Sequence, residues 1–170
     1  MPIVSGDIDF HGSGGTGATT IDLWLGGIIS NTQVTDNTDN NLFEDVTGAE
    51  ASAGNIDYKG IYVNNAHGSL TLQNTVIWIE SNTTSVDTAV RIGLDLAGKD
   101  ATMDTIVNKD TAPDPAVTFS TAANKGAGLD LTDLASGENF GIWVERDVDA
   151  AASAVNADTF ELKVEGDTSA

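Results

Sequence analysis

Val90-Arg91-Ile92-Gly93-Leu94-Asp95-Leu96 is the stretch on which the fold turns. Val90, Ile92, Leu94 and Leu96 alternate with Arg91, Gly93 and Asp95, which puts the apolar side chains on one face of an extended chain. That is a half-buried strand with its core face declared. Phe160, Leu162 and Val164 alternate in the same way with Glu161, Lys163 and Glu165, and Phe140, Ile142 and Val144 share a face opposite Trp143 and Glu145. Two further runs, Tyr58 to Val63 and Thr75 to Ile79, are apolar without alternation and read as central strands covered on both faces. Leu70-Thr71-Leu72 leads into the second, and Asn74 marks a bulge that resets its register.

Outward from these, shorter strands are expected at Ile3–Phe10, Ile21–Leu25, Met103–Val107, Ala116–Phe119 and Gly128–Leu131. The total, about eight to ten short strands with turn signals between them, is that of a sandwich or barrel. Asn64-Asn65-Ala66-His67-Gly68 suits a hairpin loop with positive φ at Gly68, Pro113 and Pro115 exclude their segment from a central strand, and Leu134–Asn139 is a turn. The best helical pattern, Asp149–Ala154, is too short and too small-sided to cover a core. The expected fold is all-β: an antiparallel β-sandwich, immunoglobulin-like or jelly-roll-like, with an extended, loop-rich N-terminal segment. Gly12–Gly17 is flexible in composition and Asn31–Asn41 is a polar run. Residues 1–56 therefore read as an arm or accessory strands and 57–170 as the sandwich, with one continuous domain as the alternative.

A chain of 170 residues suits one domain and buries enough surface to fold without metal or disulfide. The absence of cysteine removes thiol nucleophiles, cysteine zinc sites and disulfide frameworks. With 26 acids against 7 bases the formal net charge is −19, which opposes nucleic acid and anionic membrane surfaces as partners. Of the acids 19 are Asp, and with 20 Thr and 18 Gly the bias is toward turns and strands. Such acidity serves solubility and blocks edge-to-edge pairing, or suits a saline environment; both readings stand. No basic, apolar leader pattern opens the sequence and no apolar run approaches a membrane span, so a soluble protein is expected.

Residues for catalysis are scarce. His11 and His67 are 56 positions apart, without metal-ligand spacing, and no nucleophile elbow surrounds Ser69, the serine nearest His67. Acids could gather as Asp36, Asp39, Glu44 and Asp45, or as Asp104, Asp110 and Asp114, but neither run has the pattern of a calcium loop. Gly12–Gly17 lacks the Gly-Lys-Ser/Thr of a phosphate loop, and Asn82-Thr83-Thr84 is a glycosylation sequon by pattern alone. No enzyme activity, cofactor or metal is expected. Trp78, Trp143, Phe43 and Tyr62 are the candidate contact residues, since exposed aromatics stack on sugars or anchor interfaces. Burial under a neighbouring sheet or subunit is the competing reading.

The order of motifs carries a resemblance. Leu25-Gly26-Gly27-Ile28-Ile29-Ser30, Asn41 to Ala51, Asp57 to Asn65, Val76-Ile77-Trp78-Ile79, Ile92-Gly93-Leu94-Asp95, and Leu131 to Gly137 before Ile142-Trp143-Val144 run in sequence. This series resembles a family of uncharacterised virion proteins of tailed bacteriophages. In that family the position of Gly60 is often cysteine, and proline commonly precedes the glycine at Gly137, where this chain has Ser136. The Leu134-Ala135-Ser136-Gly137 turn is also similar to those of immunoglobulin-like domains on bacterial and phage surfaces. The resemblance implies a capsid decoration or cement protein on the outer shell of the virion. Its partners would be the major capsid protein and copies of itself, as trimers at local three-fold positions. A tail or fibre component and a carbohydrate-binding module are the alternatives.

Overall fold

The computed structural model describes residues 2–168. Eight strands build two antiparallel sheets: β1 (Ile8–Ser13), β2 (Ile29–Gln33), β3 (Asn55–Asn65), β4 (Leu72–Ser81), β5 (Thr88–Lys99), β6 (Leu129–Leu134), β7 (Asn139–Val148) and β8 (Glu161–Thr168). The five-stranded sheet has the order β2-β1-β3-β7-β5 and the three-stranded sheet the order β6-β4-β8. The chain is an all-β sandwich. From β3 onward each strand lies in the opposite sheet from the one before, so successive strands face each other across the core instead of pairing as hairpins.

Strand parity assigns the layers. Ile61 and Val63 of β3, Ile142 and Val144 of β7 and Val90 and Ile92 of β5 point inward, against Leu72, Ile77 and Ile79 of β4 and Leu131 and Leu134 of β6. The other face of the large sheet carries Tyr58, Tyr62 and Trp143, and it too is covered. Its cover is largely irregular chain: Leu25, Met103, Ile106, Val117 and Phe119, joined by Ile29 at the start of β2. Trp143 sits in register between Gly60 and Gly93, so its indole has room on both sides. Gly93 is required by a close approach, because a Cβ there would lie 2.4 Å from Val117 Cγ1 and 2.8 Å from the Thr118 carbonyl.

Several connections differ from expectation. Asn64–Gly68 forms no hairpin; it carries the chain from β3 in one sheet toward β4 in the other, and Gly68 is not among the positive-φ residues. Asn65 explains the crossing: it is fully buried, and its amide donates to the Leu70 and Leu134 carbonyls at 2.9 and 2.8 Å. Ile21–Leu23 is a single 3₁₀ turn, and Met103 and Ser120 make only isolated bridges, to Gly27 and Ile92. Asn74 does mark a bulge, with φ of 50° and a register shift against both neighbours. A short helix α1 (Gly48–Ala53) has no counterpart in the apolar pattern. The first third of the chain is joined to the rest by hydrogen bonds: β1 pairs with β3 from Ile8 to Gly12, and Ala18, Trp24, Leu42 and Phe43 lie in the main core.

Candidate functional site

The four aromatics expected at a contact surface are all interior, which is a correction. Trp143 is 0% exposed and Tyr62 1%, Trp78 3% and Phe43 7%. Each is buried with its polar end satisfied or its ring packed, as an amphipathic aromatic requires. Trp143 Nε1 donates to Asp95 Oδ2 at 2.8 Å. Tyr62 directs its hydroxyl to the Gly27 carbonyl at 2.6 Å and accepts the Met103 N–H at 3.0 Å. Trp78 Nε1 donates to Glu80 at 2.5 Å beneath the Lys163 ammonium, and Phe43 packs on Phe160 with the Arg146 guanidinium 4.7 Å from its ring centre. Parity identified two faces of β7, but nothing local in the sequence says that irregular chain covers the second.

The chemically dense part of the molecule lies elsewhere, at the end of the inner face of the large sheet. There the apolar rows of β3 and β7 give way to Asp57, Lys59 and Arg146, none of them more than 9% exposed. Burying charge is tolerable only with partners. The segment before β3 and the turn before the Pro113 region supply them. Arg146 Nε donates to Asp57 Oδ2 at 3.1 Å, its Nη2 reaches the same oxygen, and its Nη1 donates to the Glu44 carbonyl at 2.7 Å. Lys109 bridges Glu50 Oε1 and Asp57 Oδ1 at 2.6 and 2.9 Å. Lys59 Nζ donates to the Ile21 carbonyl at 2.8 Å and to Glu44 Oε1 at 3.2 Å.

Titration follows these contacts. Burial raises the Glu44 carboxyl, but hydrogen bonds from Asp22, its own backbone and Lys59 outweigh it and bring the pKa down to about 2. The hydrogen bond to Glu44, and that group's charge, push Asp22 up. Hydrogen bonds from Lys109 and the Thr47 N–H lower Glu50 to about 2. Burial opposes the Lys109 ammonium, yet its bonds to Glu50 and Asp57 raise it above the ordinary lysine value.

Neither run of acids named from the sequence converges. Among the described residues the group whose ligand atoms approach within 4.8 Å of one another is Glu50, Asp57 and Asp110. Lys109 and Arg146 already answer that group's charge. His67 accepts the Ser69 and Leu70 N–H groups on Nδ1 at 3.2 and 3.0 Å, so its ring closes a turn. His11 Nδ1 lies 2.9 Å from the Ser30 carbonyl, which puts the hydrogen on that nitrogen. The sequon residue Asn82 spends its amide on the backbone N–H and C=O of Val90.

No family model, no curated protein and no solved structure matches the chain. Geometry alone therefore carries the functional reading. Two shallow surface depressions are lined largely by small polar and acidic side chains, one by Asn74, Lys99, Asp130, Thr132 and Asp133, the other by Thr19, Thr20, Asp39 and their neighbours. The buried ionic cluster binds the N-terminal segment to the sheet. One signal of it stands in the sequence: Lys59 interrupts the run Tyr58 to Val63 read as covered on both faces, and a charge in such a place needs a partner.

Proposed function

We propose that the chain is a non-enzymatic virion structural protein that decorates the outer shell of a phage capsid, binding across junctions between capsid subunits. The observation that carries this reading is the distribution of charge on a rigid sandwich. All seven bases are engaged in ion pairs with acids of the same chain, so the exterior is left overwhelmingly acidic. Such a surface is repelled by packaged DNA and suits contact with a partner that brings bases or cations. Many weak, repeated contacts on a symmetric shell add up to strong avidity, with trimers at three-fold positions as the natural unit. The order of strand and turn motifs from Leu25 to Val144 supports the same reading.

Anchors for the contact are exposed apolar side chains, not the buried aromatics. Val86 is 93% exposed and Val107 84%, both in connections between strands. A carbohydrate-binding role loses its support, because neither Trp78 nor Trp143 presents a ring to solvent. The deciding experiment mixes the purified protein with empty, expanded capsids of the phage that encodes it. Binding that raises the capsid melting temperature, and that weakens in Val86→Asp or Val107→Asp, is the expected result. A protein that ignores capsids but binds purified tails is a tail component, and one that binds neither overturns the reading.

A further inference from the structure

The two sheets present four edge strands, and three of them are guarded. β5 carries Arg91, Asp95 and Lys99, and Ile92 exchanges both backbone hydrogen bonds with Ser120 of the covering chain, each at 2.9 Å. β6 carries Asp130 and Asp133 and is broken by Thr132 at a φ of 62°. β8 exposes Glu161, Lys163, Glu165 and Asp167. Charge, bulges and covering chain are the means by which a free edge is kept from pairing. β2 differs. It is bonded to β1 alone, and it is the one strand of the eight without a charged residue, in a chain with 26 acids. The uncharged run extends from Leu23 to Thr35. Outside the ladder with β1, no hydrogen bond among the described residues reaches the backbone of Asn31 or Gln33, and both are exposed.

We propose that this edge is an interface between two copies of the chain, their β2 strands pairing antiparallel about a two-fold axis at Asn31 so that the two five-stranded sheets become continuous. The occupant follows from charge. Two molecules at −19 repel each other over most of their surface, and an edge without charge is where that repulsion is least. A partner that brings bases is drawn to the acids instead, and gains nothing from this strand. The register follows from self-complementarity, because a two-fold contact sets the same patch against itself. With Asn31 opposite Asn31 of the copy, Ser30 faces Thr32 of the copy and Ile29 faces Gln33 of the copy, so no like charges oppose and hydroxyl meets hydroxyl. Ile28, 55% exposed in the single chain, is brought to Val34 of the copy. A strand of five residues makes a small contact, so the pairing is weak and depends on salt to screen the remaining acids.

This inference stands apart from the capsid reading and is tested on the purified chain alone. Sedimentation is expected to show a monomer at about 0.01 M salt and a dimer fraction that grows toward about 1 M. Asn31→Asp sets two carboxylates opposite each other at the axis and is expected to weaken dimerisation about tenfold. Asn156→Asp, the same change at an exposed position in the connection before β8, is expected to leave it unchanged. Asn31→Cys then reads the register, since the chain has no cysteine of its own. Directly opposed residues of an antiparallel pair have Cα atoms about 4.5–5.5 Å apart, within disulfide reach. Oxidation at high salt is expected to link Asn31→Cys into dimers and to leave Asn156→Cys largely unlinked, with the circular dichroism of both unchanged. A chain that stays monomeric at about 1 M salt overturns the proposal and leaves the edge to a strand of another protein. A dimer that cross-links no better through position 31 than through position 156 overturns it as well, because the copies then meet elsewhere.

Discussion

Arg146 concentrates more of the structure than any other side chain. Its guanidinium answers Asp57, holds the Glu44 carbonyl and lies over Phe43, so it joins β7, β3 and the N-terminal segment at once. Removing one partner of a buried pair leaves the other uncompensated, and Asp57 is 1% exposed. Arg146→Met is therefore expected to cost about 3–5 kcal/mol of unfolding free energy, read from urea denaturation. Gly93 offers a second, steric test. The Thr118 backbone stands 2.8 Å from where a Cβ would be, and backbone cannot rotate away as a side chain can. Gly93→Ala should cost about 1–3 kcal/mol, the range of overpacked cores, and make the 112–120 segment an early target of proteases. Gly68→Ala is the matched control: open space surrounds that position and its φ is ordinary, so stability should hold or rise slightly.

At the scale of elements, the helix α1 buries no residue of its own and is held by its cap and by charge, whereas Leu42 and Phe43 before it lie in the main core. Thr47 caps α1 through the Glu50 N–H at 3.2 Å, and the Glu50 side chain returns a bond to the Thr47 N–H at 2.7 Å. Glu44 and Glu50 have pKa values of about 2 in the fold against 4.5 for the ordinary group. Their contribution is complete above 4.5 and is lost as pH falls from there toward 2, because the unfolded chain takes up those protons first. Amide hydrogen exchange measured stepwise down that range should lose protection over residues 47–53 before it is lost in β3 or β7. Simultaneous loss in all three would mean that the segment is not a separately held unit. The same element shows what the sequence made legible. Alternation in β7 and β8 follows from a single rule of side-chain direction; in β5 it holds at Val90 and Ile92 but fails at Leu96, which lies within a register shift and is 59% exposed, while Asp95 is buried against Trp143. The spacing Thr47-Gly48-Ala49-Glu50 is a capping signature, but small residues with no apolar stripe follow it, so hydrophobic periodicity does not reveal the helix. The cover over Tyr58, Tyr62 and Trp143 comes from irregular chain around 101–120, which has no period to detect. Aromatics thus looked available for contact that are in fact core.

For the whole molecule the decisive quantity is where opposite charges meet. Nine of the acids share the seven bases, which leaves 17 acids without a base within 4.0 Å, and of these only Asp95 is buried. Salt acts on the two populations unequally. The pairs around Asp57 and Lys59 lie out of water and are poorly screened, whereas the unpaired acids repel one another through solvent and are screened well. Exposed pairs such as Lys163 with Glu80 are worth at most about 1 kcal/mol each, so their weakening matters little. Net repulsion in the folded state should therefore relax as the Debye length shrinks from about 30 Å at 0.01 M to about 3 Å at 1 M salt. The expected outcome is a melting temperature that climbs steadily with sodium chloride over that range, followed by circular dichroism. A falling curve would mean that attraction across the ion pairs, rather than repulsion among the free acids, governs the electrostatics of the fold. It would also remove the acidic exterior as an argument for a cation-bearing partner, since a surface already in electrostatic balance would gain little from one.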